Sequence, residues 1–371
     1  MSADGGPPTT GARPSGEGEP TVPLSPALRA LRESVRHNTA EARADLDTAY
    51  AVGDDSKAAL LRALVECPGE LVLYHPARDH YGVMFGDLAT AEHIAVVVPG
   101  VGRDLNLVAD WLPWAENLAA ATVGSVVVLW KGYDDPPDIA EAALELVVDD
   151  RRADSGAARL AAFVAGLPAW PGQTVTVIAH SFGSLVAGEA LANHGMVCRD
   201  VVVLGSPGLG VETLDELHMR AGHFFTEKAP GDMVAGLGAI GEDPASIAFG
   251  ATRLATNVDG SPLVEEHSSY FTRRSAALQN MANVVMGRYD RLVTQRATLA
   301  GAVGSFVTIL LKAPFFPLAA LSRRYGGPGF RLVRLVDRGV HLTATESGEL
   351  VRDGLDALGS VGDRALELLR R

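Results

Sequence analysis

The sequence predicts an α/β protein. Its expected architecture is a mostly parallel central sheet flanked by helices, with an N-terminal helical extension and a C-terminal helical segment. Two observations carry this expectation. HIAVVV at 93–98, SVVVLW at 125–130, TVTVIAH at 174–180 and DVVVLG at 200–205 are nearly continuous apolar runs. Strands buried on both faces read this way, as they do in parallel sheets covered by crossover helices. Helical patterns fill about 103–120, 137–167 and 182–194, so strand and helix alternate as a doubly wound sheet requires.

Composition agrees. The chain has 371 residues, of which 47% are hydrophobic and 21% charged, so a large core forms and disorder of the whole chain is excluded. A formal charge of -13 argues against a nucleic-acid partner, because phosphate contacts need a basic surface. Only Cys67 and Cys198 are present, which excludes a disulfide framework and leaves two simple buried thiols. The ten histidines show neither HxH nor HExxH spacing, so no metal and no other cofactor is expected.

Residues 1–22 are rich in Gly, Pro, Ser and Thr and read as a disordered tail. They lack the apolar run and basic start of a Sec signal peptide, so the expected location is cytoplasmic. Ser25-Pro26 opens a helix whose apolar stripe is Leu24, Leu28, Leu31 and Val35. The helical pattern resumes over 40–51. A second helix is expected from Ser56 to the Pro68-Gly69 stop. Together, 23–69 form a helical extension of the domain at 70–290. Within that domain LVLYH and YGVMF read as an antiparallel pair, and HFFTEKA at 223–229 and SIAFGA at 246–251 as later strands. Residues 297–321 carry one charge, Lys312, while Pro314 and Pro317 interrupt any helix there. Three readings stand for this stretch: a cap over the site, an interfacial anchor giving membrane-surface association, and a span. The segment 347–371 reads as an amphipathic helix.

The sharpest local signal is Ala179-His180-Ser181-Phe182-Gly183, where an apolar strand runs straight into a helical pattern. Strand, tight turn and helix around a serine make a nucleophile elbow, with small residues two before and two after because strand and helix pass closely. Serine needs a base to take its proton, and the base needs an acid to orient it. In elbow-bearing sheets these come in the order Ser, acid, His. Asp232, in a turn after HFFTEKAPG, supplies the acid, and His267 in SPLVEEHSSYF supplies the base. Asp134 precedes the serine and Glu227 lies inside a strand, so both are weaker acids for the role. His218 and His223 precede the acid, His341 competes with His267, and His180 beside the serine reads as supporting rather than catalytic.

Acyl transfer also needs donors for the oxyanion. The backbone N–H groups of Phe182 and Val101 are expected to supply them, the latter from the PGVG turn after HIAVVV. That GVG lacks the third glycine of a dinucleotide motif, because Leu105 stands there. WKGYDDPP places Trp130 and Tyr133 at a strand end, where they are expected to wall the substrate pocket. Ser206 in LGSPG lacks a small residue two before it and reads as a rigid turn beside the site.

Taken in order, GDLATAEHIAVVVPGVG, WKGYDDPP, IAHSFGS, LGSPG, PGD and EEHSSYF resemble an α/β-hydrolase family of unknown function common in high-GC Gram-positive bacteria. The resemblance covers about 60–290. It implies the α/β-hydrolase fold and a Ser181, Asp232, His267 triad, with Ala179 where the family more usually has Gly. The expectation is a serine hydrolase acting on carboxylic esters or thioesters with an apolar acyl or alkyl part, through an acyl-enzyme. An acyltransferase on the same triad, or a non-catalytic binding member of the fold, are the alternatives.

Overall fold

The computed structural model describes residues 25–101, 106–134, 151–167, 172–230, 232, 235, 240–264 and 267–295. The expected tail at 1–22, the 297–321 stretch, His341 and the 347–371 helix lie outside the described residues.

Helix α1 runs over Pro26–Val52 and is capped by Ser25, whose hydroxyl accepts from Leu28 N. It is continuous through the weakly patterned stretch before 40. Gly53 ends it in the left-handed conformation that glycine adopts without strain. Helix α2, Asp55–Glu66, is capped by Asp54, one position ahead of the expected start at Ser56. Strands β1 (Glu70–His75) and β2 (His80–Phe85) form the expected antiparallel pair. Next come β3 (His93–Val98), helix α3 (Asn106–Ala121), β4 (Ser125–Lys131), helix α4 (Arg151–Gly166), β5 (Thr174–His180), helix α5 (Phe182–Asn193) and β6 (Asp200–Leu204). Strands β7 (Phe224–Glu227) and β8 (Thr252–Leu254) and helix α6 (Ala276–Val285) complete the described part.

The eight strands form one sheet in the order β1-β2-β4-β3-β5-β6-β7-β8. Only β2 pairs antiparallel with β1 and β4; from β4 to β8 every pairing is parallel. The parallel strands therefore present their carboxyl ends along one edge, where α/β folds bind ligands. Two apolar layers sandwich the sheet. One joins α1, α2, α3 and α6 to it, so the N-terminal helices share the core of the sheet. The other packs α4 and α5 on the opposite face.

The expected strand at 246–251 is not formed; β8 begins at Thr252. Ser246 N bonds Asp243 O and Phe249 N bonds Ser246 Oγ, which makes successive turns of this stretch. Its apolar character has another cause. Phe249 fills the core against Phe224, with ring centroids 5.8 Å apart.

At the opposite edge, Asp200 is wholly buried. It accepts from Arg199 Nε (2.5 Å), His223 Nδ1 (2.8 Å) and the Tyr289 hydroxyl (2.9 Å). Arg199 also donates to the carbonyls of Val284 (3.0 Å) and Val285 (2.9 Å), so this cluster ties the start of β6 to the end of α6. Asp200→Ala should cost about 3 kcal/mol, since it strands several donors to a buried charge. Urea unfolding checks this; a loss under about 1 kcal/mol would mean the cluster is ornamental.

Candidate active site

Ser181 lies between β5 and α5 with φ 53° and ψ -127°, backbone space that L-residues rarely occupy. Such a conformation costs of order 1–3 kcal/mol and persists only when the surroundings enforce it. Here they do. Ser181 N donates to Leu204 O (3.0 Å), and Ser181 O accepts from Ser184 N (2.9 Å) and Ser184 Oγ (2.5 Å). Ser184 Oγ also meets Ser206 Oγ (2.7 Å), and Ser206 Oγ accepts from Gly208 N (3.1 Å). Ser206 thus braces the turn.

The small residues flanking the serine have steric reasons. A methyl on Gly183 would fall 2.4 Å from Pro99 O and 2.5 Å from Val98 O, because α5 starts against the end of β3. Ala179 sits opposite Val98 in the β3–β5 register and is fully buried, so its methyl is accommodated there.

His267 and Asp232 come together. Nδ1 of His267 is 2.9 Å from both carboxylate oxygens of Asp232. This bond fixes the neutral ring with its proton on Nδ1 and a free lone pair on Nε2. Among the described residues Nε2 is buried and has no hydrogen-bond partner, so Ser181 Oγ is not hydrogen-bonded to it. Catalytic contacts of this kind are often long before substrate arrives.

Asp232 is held on all sides. Its Oδ2 accepts from the Tyr270 hydroxyl (2.6 Å) and its Oδ1 from Ala235 N (3.1 Å). Burial raises the Asp232 pKa. The bonds from His267 and Tyr270, the nearby His267 charge and the Ala235 N–H outweigh it and bring the value down to about 2. A carboxylate depressed in this way adds stability that is complete above its ordinary range and lost as pH falls through about 2. Tyr270, three residues after His267, joins the candidate site through its hydroxyl, and the sequence barely signals it; the HSSY string is its only trace. Its hydroxyl accepts from Ala229 N (2.9 Å) while donating to Asp232, which locks the loops after β7 and β8 together. Gly205 is a second requirement with no local signal. At φ 55°, a side chain there would meet Asp232 Oδ2 at 2.5 Å and His267 Nδ1 at 2.9 Å.

His180 is the other histidine at the site. Its Nε2–H donates to the His267 carbonyl (2.6 Å), its ring lies 4.5 Å from the His267 ring, and Trp114 meets it edge-on at 5.0 Å. Burial first, and the neighbouring His267 second, push its pKa down to about 3. A ring so weakly basic, with no carboxylate behind it, is a poor base at neutral pH. Burial also lowers His80, to about 4. Between these values and the ordinary 6.5 the unfolded chain binds more protons on these two rings than the folded one, so their contribution to stability falls as pH drops from 7 to 5, while the buried, neutral Glu227 carboxyl contributes in the opposite direction. Thermal melts of Glu227→Gln, which lacks the opposing group, check this; a melting point in that variant unchanged or higher at pH 5 than at pH 7 contradicts it.

Val101 is next to Gly100, whose Cα faces the serine. A methyl on Gly100 would fall 2.7 Å from Ser181 Cβ and 3.2 Å from Oγ. Phe182 opens α5, and its ring stacks on Tyr133 with centroids 5.6 Å apart. Trp130 and Tyr133 differ from expectation. Both are fully buried, Trp130 between Phe163 and Tyr133, and Tyr133 between Phe182 and the Lys131 ammonium. Their ring faces are taken up by core packing, so they back the site rather than wall a pocket. Glu227 is a buried carboxyl with no hydrogen-bond partner among the described residues; burial raises its pKa well above the usual range. It therefore stays neutral and cannot replace Asp232. The Cys198 thiol is pushed up to about 12 by burial, which fits an unreactive role. Among the described residues no group of side chains could hold a metal ion. No described helix is long and apolar enough to cross a membrane.

The family model described as alpha/beta hydrolase matches residues 79–241. An uncharacterized protein of Mycobacterium tuberculosis is 30% identical over 272 residues, covering 61% of this chain and 40% of the relative. The chain thus spans well under half the length of that relative. An uncharacterized protein of Mycobacterium bovis is 31% identical over 238 residues, covering 56% of this chain and 87% of the relative. Among solved structures, a dienelactone hydrolase from Anabaena variabilis superposes with TM-score 0.36 at 16% identity, over 61% of this chain and 100% of that one. A carboxyl esterase from Bacillus coagulans does so with TM-score 0.25 at 16% identity, over 38% and 44%. The family match spans the turn at Ser181 and Asp232, and the M. bovis relative is matched along most of its length, so this chain belongs to the alpha/beta hydrolase family.

Proposed function

We propose that the protein is a serine hydrolase that cleaves carboxylic esters or thioesters through an acyl-enzyme. The observation that carries this reading is the strained turn at Ser181 on the same sheet edge as a hydrogen-bonded His267–Asp232 pair. Ser181 Oγ attacks the ester carbonyl, and His267 Nε2 takes its proton. Asp232 holds the imidazole in the required tautomer and stabilises the cation that forms. The Val101 and Phe182 N–H groups receive the oxyanion, the latter at the positive end of α5. His267 then returns the proton to the leaving alcohol or thiol. Water activated by the same ring releases the acid.

The test is hydrolysis of p-nitrophenyl esters of rising chain length, with and without added alcohol. Release of p-nitrophenol above the S181A background supports the reading; an ester product with the alcohol turns it toward acyl transfer. No turnover of any ester or thioester would sink it. Gly205→Ala is a second check. Its methyl falls within the Asp232–His267 contact, so kcat should drop by roughly 10²-fold or more, as expected when a base loses its orientation. Activity within twofold of wild type would mean that pair is not used.

A further inference from the structure

We propose that Tyr133 is a positioning residue for the oxyanion-binding segment 99–101, acting through its phenol hydroxyl. The inference rests on the serine-hydrolase reading above. Tyr133 is fully buried just beyond β4. Its hydroxyl lies 2.6 Å from Pro99 O and 2.8 Å from Gly100 O, so one proton is shared between two successive carbonyls at the end of β3. The ring itself is fixed. Phe182 stacks on it, and Lys131 Nζ sits 3.7 Å from its centroid while donating to Tyr133 O (2.6 Å).

The direction of the neighbouring donor is set by peptide geometry. The described residues contain no cis peptide bonds, and in a trans peptide the C=O and N–H point opposite ways. Holding Gly100 O on a hydroxyl inside the core therefore turns Val101 N–H away from the core. Gly100 itself lies against Ser181, close enough that a methyl would touch Cβ and Oγ. Position 100 must be glycine for that approach, and glycine is the residue least able to hold its own peptide planes. The Tyr133 hydroxyl supplies the restraint that Gly100 lacks. The same ring packs on Phe182, whose N–H is the second proposed donor, so one buried side chain touches both halves of the oxyanion site.

The test uses the full chain, wild type against Tyr133→Phe, with p-nitrophenyl butyrate as substrate and an alkyl trifluoromethyl ketone as inhibitor. Ser181 Oγ adds to the ketone carbon and its proton passes to His267, leaving a hemiketal oxyanion that needs the same donors. Y133F should lower kcat roughly 10- to 100-fold, less than deleting an oxyanion donor outright. KM should stay within about twofold, and the ketone Ki should rise in step with the loss of kcat. Rates are scaled to the folded fraction from a thermal melt. If Y133F does not fold, 3-fluorotyrosine at position 133 replaces it. This keeps the hydroxyl in place as a stronger donor, and the ketone Ki should shift while KM does not.

A folded Y133F with kcat and Ki within twofold of wild type overturns the inference, as does a KM that rises as much as kcat falls. An unmoved Ki with 3-fluorotyrosine does the same. Failure of wild type on every ester and thioester, or turnover that S181A retains, removes the hydrolase reading itself. Wild type active through Ser181 with Y133F unchanged removes only the role of Tyr133.

Discussion

Ser181→Ala is expected to remove nearly all ester hydrolysis while leaving the melting point equal to or above that of wild type. Oγ is the only heavy atom lost, and among the described residues no hydrogen bond that braces the turn uses it: the bracing bonds run through Ser181 N and O. Alanine keeps the Cβ and must still adopt the φ of 53°. The strain is thus unchanged and the nucleophile is gone. Loss of a triad member typically costs several orders of magnitude in kcat. Steady-state rates on the best ester, with a parallel thermal melt, measure both. An S181A variant retaining more than about a tenth of wild-type kcat would assign the nucleophile elsewhere, since residual catalysis from oxyanion donors and binding alone is far smaller.

His267→Ala and Asp232→Asn form the second expectation. The histidine change should be about as damaging as the serine change, because nucleophile and base act as a unit. The asparagine change should cost roughly 10²–10⁴-fold in kcat. An amide at position 232 offers an N–H to Nδ1, which drives the ring proton onto Nε2, the atom that must accept from serine. It also leaves one oxygen to serve Tyr270 and Ala235, where the carboxylate now accepts from both as well as from His267. D232N should therefore lose some stability as well as rate. If D232N keeps wild-type kcat, the acid is another residue, and neutral Glu227 is not a ready substitute.

Much of this site is legible in residue order. The elbow is readable because its steric rule is local: a small residue at 183 is forced by the backbone of β3 approaching within contact distance, and Ala179 is buried opposite Val98. The Asp232–His267 pair is readable because buried parallel strands give strong apolar runs, and the loops leaving their carboxyl ends must share one edge. Tyr133 and Trp130 depart from expectation for a physical reason. An aromatic at a strand end is equally apolar whether it faces a ligand or the core, and only packing against Phe182 and Phe163 decides between them. Tyr270 and Gly205 escape a reading of the sequence because their roles depend on contacts between separate loops, which no local pattern encodes. The expected strand at 246–251 fails because Phe249 is buried from a turn, so its hydrophobicity imitates a strand.

Covalent labelling tests whether Ser181 is a nucleophile activated by His267. Native wild-type protein would be treated with a fluorophosphonate at neutral pH, and the adduct located by peptide mass spectrometry. One phosphonylated site is expected, at Ser181, absent after denaturation before labelling and strongly slowed in H267A. An adduct on another serine, or no adduct on folded wild-type protein, would contradict it.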